Sequence, residues 1–155
     1  MGEELHDLLK SGRVTLAQLT QFDERRDLKA LLSYRNIHGN TCMHRACWKD
    51  NGLDVMTWLF AKCSQMGVNP NAARDDGCTP LHSIAECGSQ PEVVALLLKA
   101  TGGGGLTAVC CGTTPLQWCT NHNSTANAAA VLAVLSLVSK CMLVNACRLM
   151  LTTSN

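Results

Sequence analysis

Aromatic side chains are scarce in this chain, which holds two Phe, one Tyr and three Trp among its 155 residues. With Ala, Leu and Val in the majority, the core is expected to be aliphatic and helical, and a β-sandwich is disfavoured. Charge is thin as well, at 16% of residues with a formal net charge of +1. Nucleic acids and membrane surfaces require a concentrated basic face, so neither is an expected partner. The opening MGEELHDLLKSGR has acidic residues and no apolar run of signal-peptide length. His6 stands where a myristoylation signal needs Ser or Thr. The ten cysteines are therefore read as thiols of a reducing compartment, cytoplasmic or nuclear, that serve as small buried apolar groups. An apolar content of 46% is a globular balance, and the length fits one modest domain.

Internal repetition organises the rest. GNTCMHRAC begins at Gly39, GCTPLHSIA at Gly77 and GTTPLQWCT at Gly112, and the three glycines stand 38 and 35 residues apart. Each is followed two residues later by Thr: Thr41, Thr79 and Thr114. Thr can cap a helix N-terminus, and the Pro that follows at Pro80 suits the first helical position, where a missing N–H costs nothing. A second helical run follows in each unit. Trp58-Leu59-Phe60 matches Leu96-Leu97-Leu98, and Val131-Leu132-Ala133 falls at the same offset. PEVVALLLKA, Pro91 to Ala100, again opens on Pro and closes near Lys99, the charge favoured at a helix C-terminus. GVNPNAARDDG, Gly67 to Gly77, has the composition of a turn between units.

On these residues the chain resembles the ankyrin repeat family, whose motif centres on T-P-L-H-x-A at a period near 33 residues. The resemblance covers residues 36–146 and is most faithful from Arg74 to Ala100. It implies an all-α ankyrin-repeat solenoid of about three helix-turn-helix units, 36–73, 74–108 and 109–146, stacked side by side. It also implies that His44 orders its turn by hydrogen bonding. The departures are Cys42-Met43 for Pro-Leu, Gln117 for His, one extra residue in the first two inter-helix turns, and the short glycine-rich loop TGGGGLTAVCCG.

The ends differ from the repeats. Residues 1–35 place Leu5, Leu8 and Leu9, Leu16 and Leu19, then Leu28, Leu31 and Leu32 at helical spacing around the mixed-sign cluster Asp23 to Asp27. A helical cap with a polar outer face is the expectation. The segment from Ala128 to Val144 is apolar nearly all round and is read as the second helix of the third unit. Lys140 interrupts it as a membrane span, which needs about 20 apolar residues. Asn145-Ala146 echoes Asn71-Ala72, so the array could continue in a longer protein or the apolar helix could dock on another chain. Residues 147–155 form a tail.

No constellation reads as a catalytic site. Cys42, His44 and Cys47 are close, Cys119 and His122 are three apart, and Cys110-Cys111 lie just upstream. None has the paired C-x-x-C spacing that makes a zinc site specific, and GGGGL lacks the Lys of a phosphate loop. Neither an enzyme activity nor a metal or cofactor is expected. The resemblance instead implies recognition of a protein partner through one continuous concave surface made of the hairpin tips and the exposed face of each first helix. Carried over unit by unit, the contact positions are Ile37, His38, Asn40, Trp48 and Lys49; Asp75, Asp76, Cys78, Glu86 and Cys87; and Cys110, Cys111, Thr113, Asn121 and His122. Trp48 is the expected anchor, because Trp is enriched among interface hot spots, although a Trp can equally pack against a neighbouring unit. Trp58 and Trp118 are expected further inward. A Cys-rich redox or metal-responsive module and a membrane-tethered ankyrin protein are the alternatives that this reading leaves open.

Overall fold

The computed structural model describes residues 3–49, 51–87, 91–103, 105–121, 127–129, 131 and 132. Among them the chain forms helices α1 (Glu3–Lys10), α2 (Leu16–Thr20), α3 (Leu28–Ser33), α4 (Cys42–Trp48), α5 (Leu53–Met66), α6 (Pro80–Cys87), α7 (Pro91–Ala100) and α8 (Pro115–Asn121). The one β feature among the described residues is an isolated bridge between Cys110 and Thr113. The aliphatic, helical core expected from composition is present.

Local chemistry sets the helix ends. Thr41 caps α4: its hydroxyl accepts the His44 N–H while the His44 side chain returns to the Thr41 N–H, so two orphan donors are satisfied at once. Thr15 and Gln18 do the same for α2. The long helix α5 stops at Gly67, which is left-handed at φ 64°. There the Val68 N–H reaches back to the Cys63 carbonyl at 2.8 Å, a hydrogen bond that consumes a helix-end acceptor.

Two rows of helices result. In the first row α1 packs on α4, α4 on α6 and α6 on α8; in the second, α2 and α3 pack on α5 and α5 on α7. Each unit of this stack therefore buries its apolar stripe against its neighbour, and a single core runs the length of the described chain. Leu5, Leu9, Leu28, Leu31, Met43, Met56, Leu59, Leu81, Ile84 and Leu97 are fully buried in it. At about 1.5–3 kcal/mol for each fully buried large aliphatic side chain, this core is the main source of cohesion. Polar side chains add register. Asn51, itself buried, donates through Nδ2 to the Leu9 carbonyl at 3.1 Å and the Ala46 carbonyl at 3.4 Å. Asn127 likewise donates to the Ile84 carbonyl at 2.9 Å.

The N-terminal helices pack on α4 and α5 through the leucines the spacing picks out, with one correction. Leu16 opens α2 and is 42% exposed, because the first position of this short helix points away from α5. The mixed-sign cluster is used for positioning. Asp23 accepts from the Trp58 indole at 2.9 Å and from Lys62 at 2.8 Å, and Arg25 bridges Asp27 and Glu4. Of the apolar segment from Ala128 to Val144, the described residues are 128, 129, 131 and 132, all helical. Val131 is buried and Leu132 is 52% exposed. The remainder of that segment, its expected docking role and the tail at 147–155 lie outside the described residues.

Candidate protein-binding face

Three hairpin turns line up along the first helix row. In the first, the Asn36 N–H meets the Asn40 carbonyl at 3.1 Å; in the second, the Arg74 N–H meets the Cys78 carbonyl at 2.8 Å. The third is tighter. Cys110 and Thr113 exchange both backbone hydrogen bonds, at 2.9 and 3.0 Å, and the two central residues, Cys111 at φ 51° and Gly112 at φ 79°, have the left-handed signature of a type I′ turn. Cys111 pays conformational strain here that glycine would not.

Histidines lock each turn to the next. His44 Nδ1 accepts from the Thr41 N–H at 3.2 Å, which leaves Nε2–H to donate to the Cys78 carbonyl at 3.0 Å. His82 repeats the arrangement, with Thr79 at 3.2 Å and the Thr113 carbonyl at 3.2 Å. The ordering role that the resemblance implies for His44 is thus extended to the neighbouring unit. Burial, partly opposed by the bond to the Cys78 carbonyl and reinforced by the nearby Arg74 and Arg35 charges, lowers His44 to about 4. Burial also lowers His82, less the effect of its bond to Thr113. Gln117 keeps the local half of the motif, its Oε1 accepting from the Thr114 N–H at 2.8 Å.

Between these hairpins and helices lies a concavity lined by Asn40, Trp48, Arg74, Asp76, Cys78, His82, Ser83, Glu86, Cys110, Cys111 and Trp118. Its volume of about 170 Å³ falls short of the ~300–1,000 Å³ usual for a small-molecule site, so its shape suits a side chain or a peptide edge. Trp48, on its rim, is 44% exposed and has Arg45 and Lys49 over its ring at 5.4 and 5.5 Å. Inside, Trp118 meets His82 edge-on at 5.4 Å. Arg74 pairs with Asp76, and the Cys78 N–H donates to the Asp76 carboxylate at 3.0 Å. Burial works against ionisation of Asp76, yet the Cys78 N–H and the Arg74 guanidinium hold its carboxyl below the usual range. Burial pushes the Cys78 and Cys110 thiols up.

The structure gathers only part of the contact set inferred from the repeats. Asn40, Trp48, Asp76, Cys78, Glu86, Cys110 and Cys111 line the concavity. Ile37 and His38, both exposed, face a separate depression shared with Glu3, His6, Asp7, Lys10, Tyr34, Asn36 and Arg45. Lys49, Asp75 and Asn121 are exposed and Thr113 is half-buried, all outside the concavity. Three positions need correcting as surface groups: Asn40 and Cys78 are each 8% exposed and Cys110 is 1% exposed. Asn40 and Cys78 close their hairpins and are covered by the next unit. Cys110 turns inward because the type I′ turn is one residue tighter than its counterparts, which breaks the alignment with exposed Asp75. The Cys87 side chain and all of His122 lie outside the described residues.

Arg74, His82, Ser83 and Trp118 belong to the concavity without having been singled out as contact residues. Their signal was available in position. Arg74 opens the hairpin, and Trp118 sits on the face of α8 that meets α6. The early thiol-histidine cluster does not assemble a metal site. Cys42 donates its thiol to the Leu32 carbonyl, and both ring nitrogens of His44 are engaged.

Residues 76–108 match the family model for the ankyrin repeat, and the helical elements of the described residues are consistent with an all-α ankyrin-repeat fold. A comparison with curated proteins returns no match. The ankyrin repeat is a module of protein–protein interaction, typically without enzymatic activity. No helix among the described residues is long and apolar enough to cross a membrane.

Proposed function

We propose that this chain is an adaptor-type binding module that takes a segment of a partner protein along its hairpin tips and first helices, with Trp48 as anchor. The observation that carries this reading is the half-exposed Trp48 indole, with Arg45 and Lys49 over its ring, at the rim of a concavity too small for a cofactor. A large, rigid side chain kept at a rim costs little entropy to order on binding, and such groups supply most of the energy in many interfaces. Charges of both signs around it, Arg74 and Lys49 against Asp76 and Glu86, fit a protein partner of mixed charge better than a polyanion. Ile37, His38, Asp75, Thr113 and Asn121 would extend the same contact along the tips. The module works in the cytoplasm or nucleus, where its thiols stay reduced.

The test compares wild type with a Trp48→Ala/Glu86→Ala variant in affinity capture from lysate, after circular dichroism has shown both folded. Partners lost with the variant assign the face. Partners kept at equal yield would sink the assignment and move attention to the N-terminal helices and the apolar segment after Ala128.

A further inference from the structure

The two hairpins at the heart of the concavity bring together groups that are remote in sequence. One ligand-type atom each from Asp76, Cys78 and Cys110 lies within 4.8 Å of the others. Cys111 adds a third thiol, with its Sγ 3.9 Å from that of Cys110. We propose that Asp76, Cys78, Cys110 and Cys111 form a site for one thiophilic divalent cation of the zinc class, held between two successive units of the stack.

The spacing is what tetrahedral coordination requires. With metal–sulfur bonds of about 2.3 Å, neighbouring sulfurs of a tetrahedral site stand about 3.8 Å apart. The Cys110–Cys111 separation is already at that value, Asp76, Cys78 and Cys110 need contract by about 1 Å, and Cys111 closes on the other two donors by rotation of its exposed side chain. Three sulfurs and one oxygen select zinc or a softer ion over magnesium or calcium, which take all-oxygen shells.

The surroundings supply the outer shell such a site needs. Asp76 is oriented at both oxygens, by the Cys78 N–H and by Arg74, as metal-binding carboxylates usually are. Three thiolates and a carboxylate carry four negative charges, which a divalent cation and the Arg74 guanidinium together reduce to one. Cys78 and Cys110 are buried and Cys111 is exposed, so the site is shielded on the core side and has an entry path from solvent. The left-handed backbone of Cys111 is a strain that a plain turn would avoid by placing Gly there; strain of this kind is kept where a side chain is used. The cation site stands whether or not the face binds a protein. A bound ion would, in addition, tie the second hairpin to the third.

The experiment uses the full chain, reduced, freed of metal by chelation and kept anaerobic, with Co²⁺ alone as the probe and Zn²⁺ as competitor. The expected result is one equivalent bound, with the visible bands of tetrahedral cobalt and a near-ultraviolet thiolate charge-transfer band, both removed by Zn²⁺. Each ligand cysteine bound contributes to that band, so Cys111→Ser, at an exposed position, is expected to remove about a third of it. A background of Cys87→Ser, Cys141→Ser and Cys147→Ser is expected to leave it intact. Asp76→Asn keeps the side-chain shape and is expected to weaken Co²⁺ binding by at least about tenfold, and Arg74→Gln to act similarly as a positioning residue. The proposal is overturned if the folded chain gives no charge-transfer band, if the band keeps its full strength in Cys111→Ser, or if it disappears in the triple background.

Discussion

His44 Nε2 stands 3.0 Å from the carbonyl oxygen of Cys78, so a side chain from one unit closes the hairpin of the next. The same imidazole caps its own helix through Nδ1. One residue therefore carries both local folding and inter-unit register. His44→Ala removes both bonds, leaves buried partners unsatisfied and opens a cavity; a loss of about 2–4 kcal/mol is expected in urea unfolding. His44→Gln should cost less, about 1 kcal/mol, because Gln18 and Gln117 show that a Gln can make the cap. Equal losses for the two variants would contradict the division of roles.

The buried imidazole also fixes a pH dependence. His44 is lowered from 6.5 to about 4, chiefly by burial, so between those values the unfolded chain binds a proton that the folded chain refuses. Stability is fully present above pH 6.5 and falls as the pH drops from 6.5 to 4, by about 3 kcal/mol for His44 alone. His82 and His6 are lowered too, each chiefly by burial, and add to the fall in the same direction. The lowered carboxyl of Asp76 acts further down, below the ordinary carboxylate value near 3.8. Urea midpoints from pH 7 to 4 should therefore decline in wild type and decline less in His44→Gln. A flat wild-type profile would contradict a buried neutral His44.

Close approach of two hairpins can be separated from backbone conformation by comparing two glycines. Both Gly77 and Gly67 are left-handed, at φ 83° and 64°. A Cβ on Gly77 would lie 2.3 Å from the Val109 carbonyl oxygen, whereas on Gly67 it would meet nothing within 4 Å. Gly67→Ala is expected to cost only the left-handed penalty of about 1–2 kcal/mol. Gly77→Ala adds a backbone clash and should cost at least about 1 kcal/mol more, with a lowered thermal midpoint to match. Equal effects would mean that the second and third hairpins are not packed as closely as described.

These tests mark how far the sequence could be read. The T-x-x-H pattern and its recurrence exposed the helix pairs, because capping and apolar periodicity are local properties. The leucines of the first 35 residues marked the N-terminal helices for the same reason. What stayed hidden was set by neighbours. Alignment on Gly112 put Cys110 level with exposed Asp75, yet a type I′ turn rotates Cys110 into the core beside Cys78. Asn40 looked like a loop-tip residue and is instead covered by the next hairpin. Arg74 could be placed at the start of its hairpin, but its pairing could not be read, since its partners, Asp76 and Asn40, come from two turns.

Trp48 offers the sharpest separation of binding from folding. Its indole is 44% exposed, while Leu81, one unit away, is 1% exposed in the core. Leu81→Ala should cost about 2–5 kcal/mol of stability by the transfer and cavity terms. Trp48→Ala gives up part of a surface contact and two exposed cation–π contacts, so a loss of no more than about 1 kcal/mol is expected. If Trp48 is the anchor of a bound segment, the same truncation should weaken partner affinity by about 2 kcal/mol or more, roughly thirtyfold. Stability by urea titration and affinity for the captured partner by calorimetry give the two numbers on one protein preparation. A Trp48→Ala variant with unchanged affinity would assign the indole to packing alone. Large losses in both measurements would mean that the ring supports the fold of α4 more than its exposure indicates.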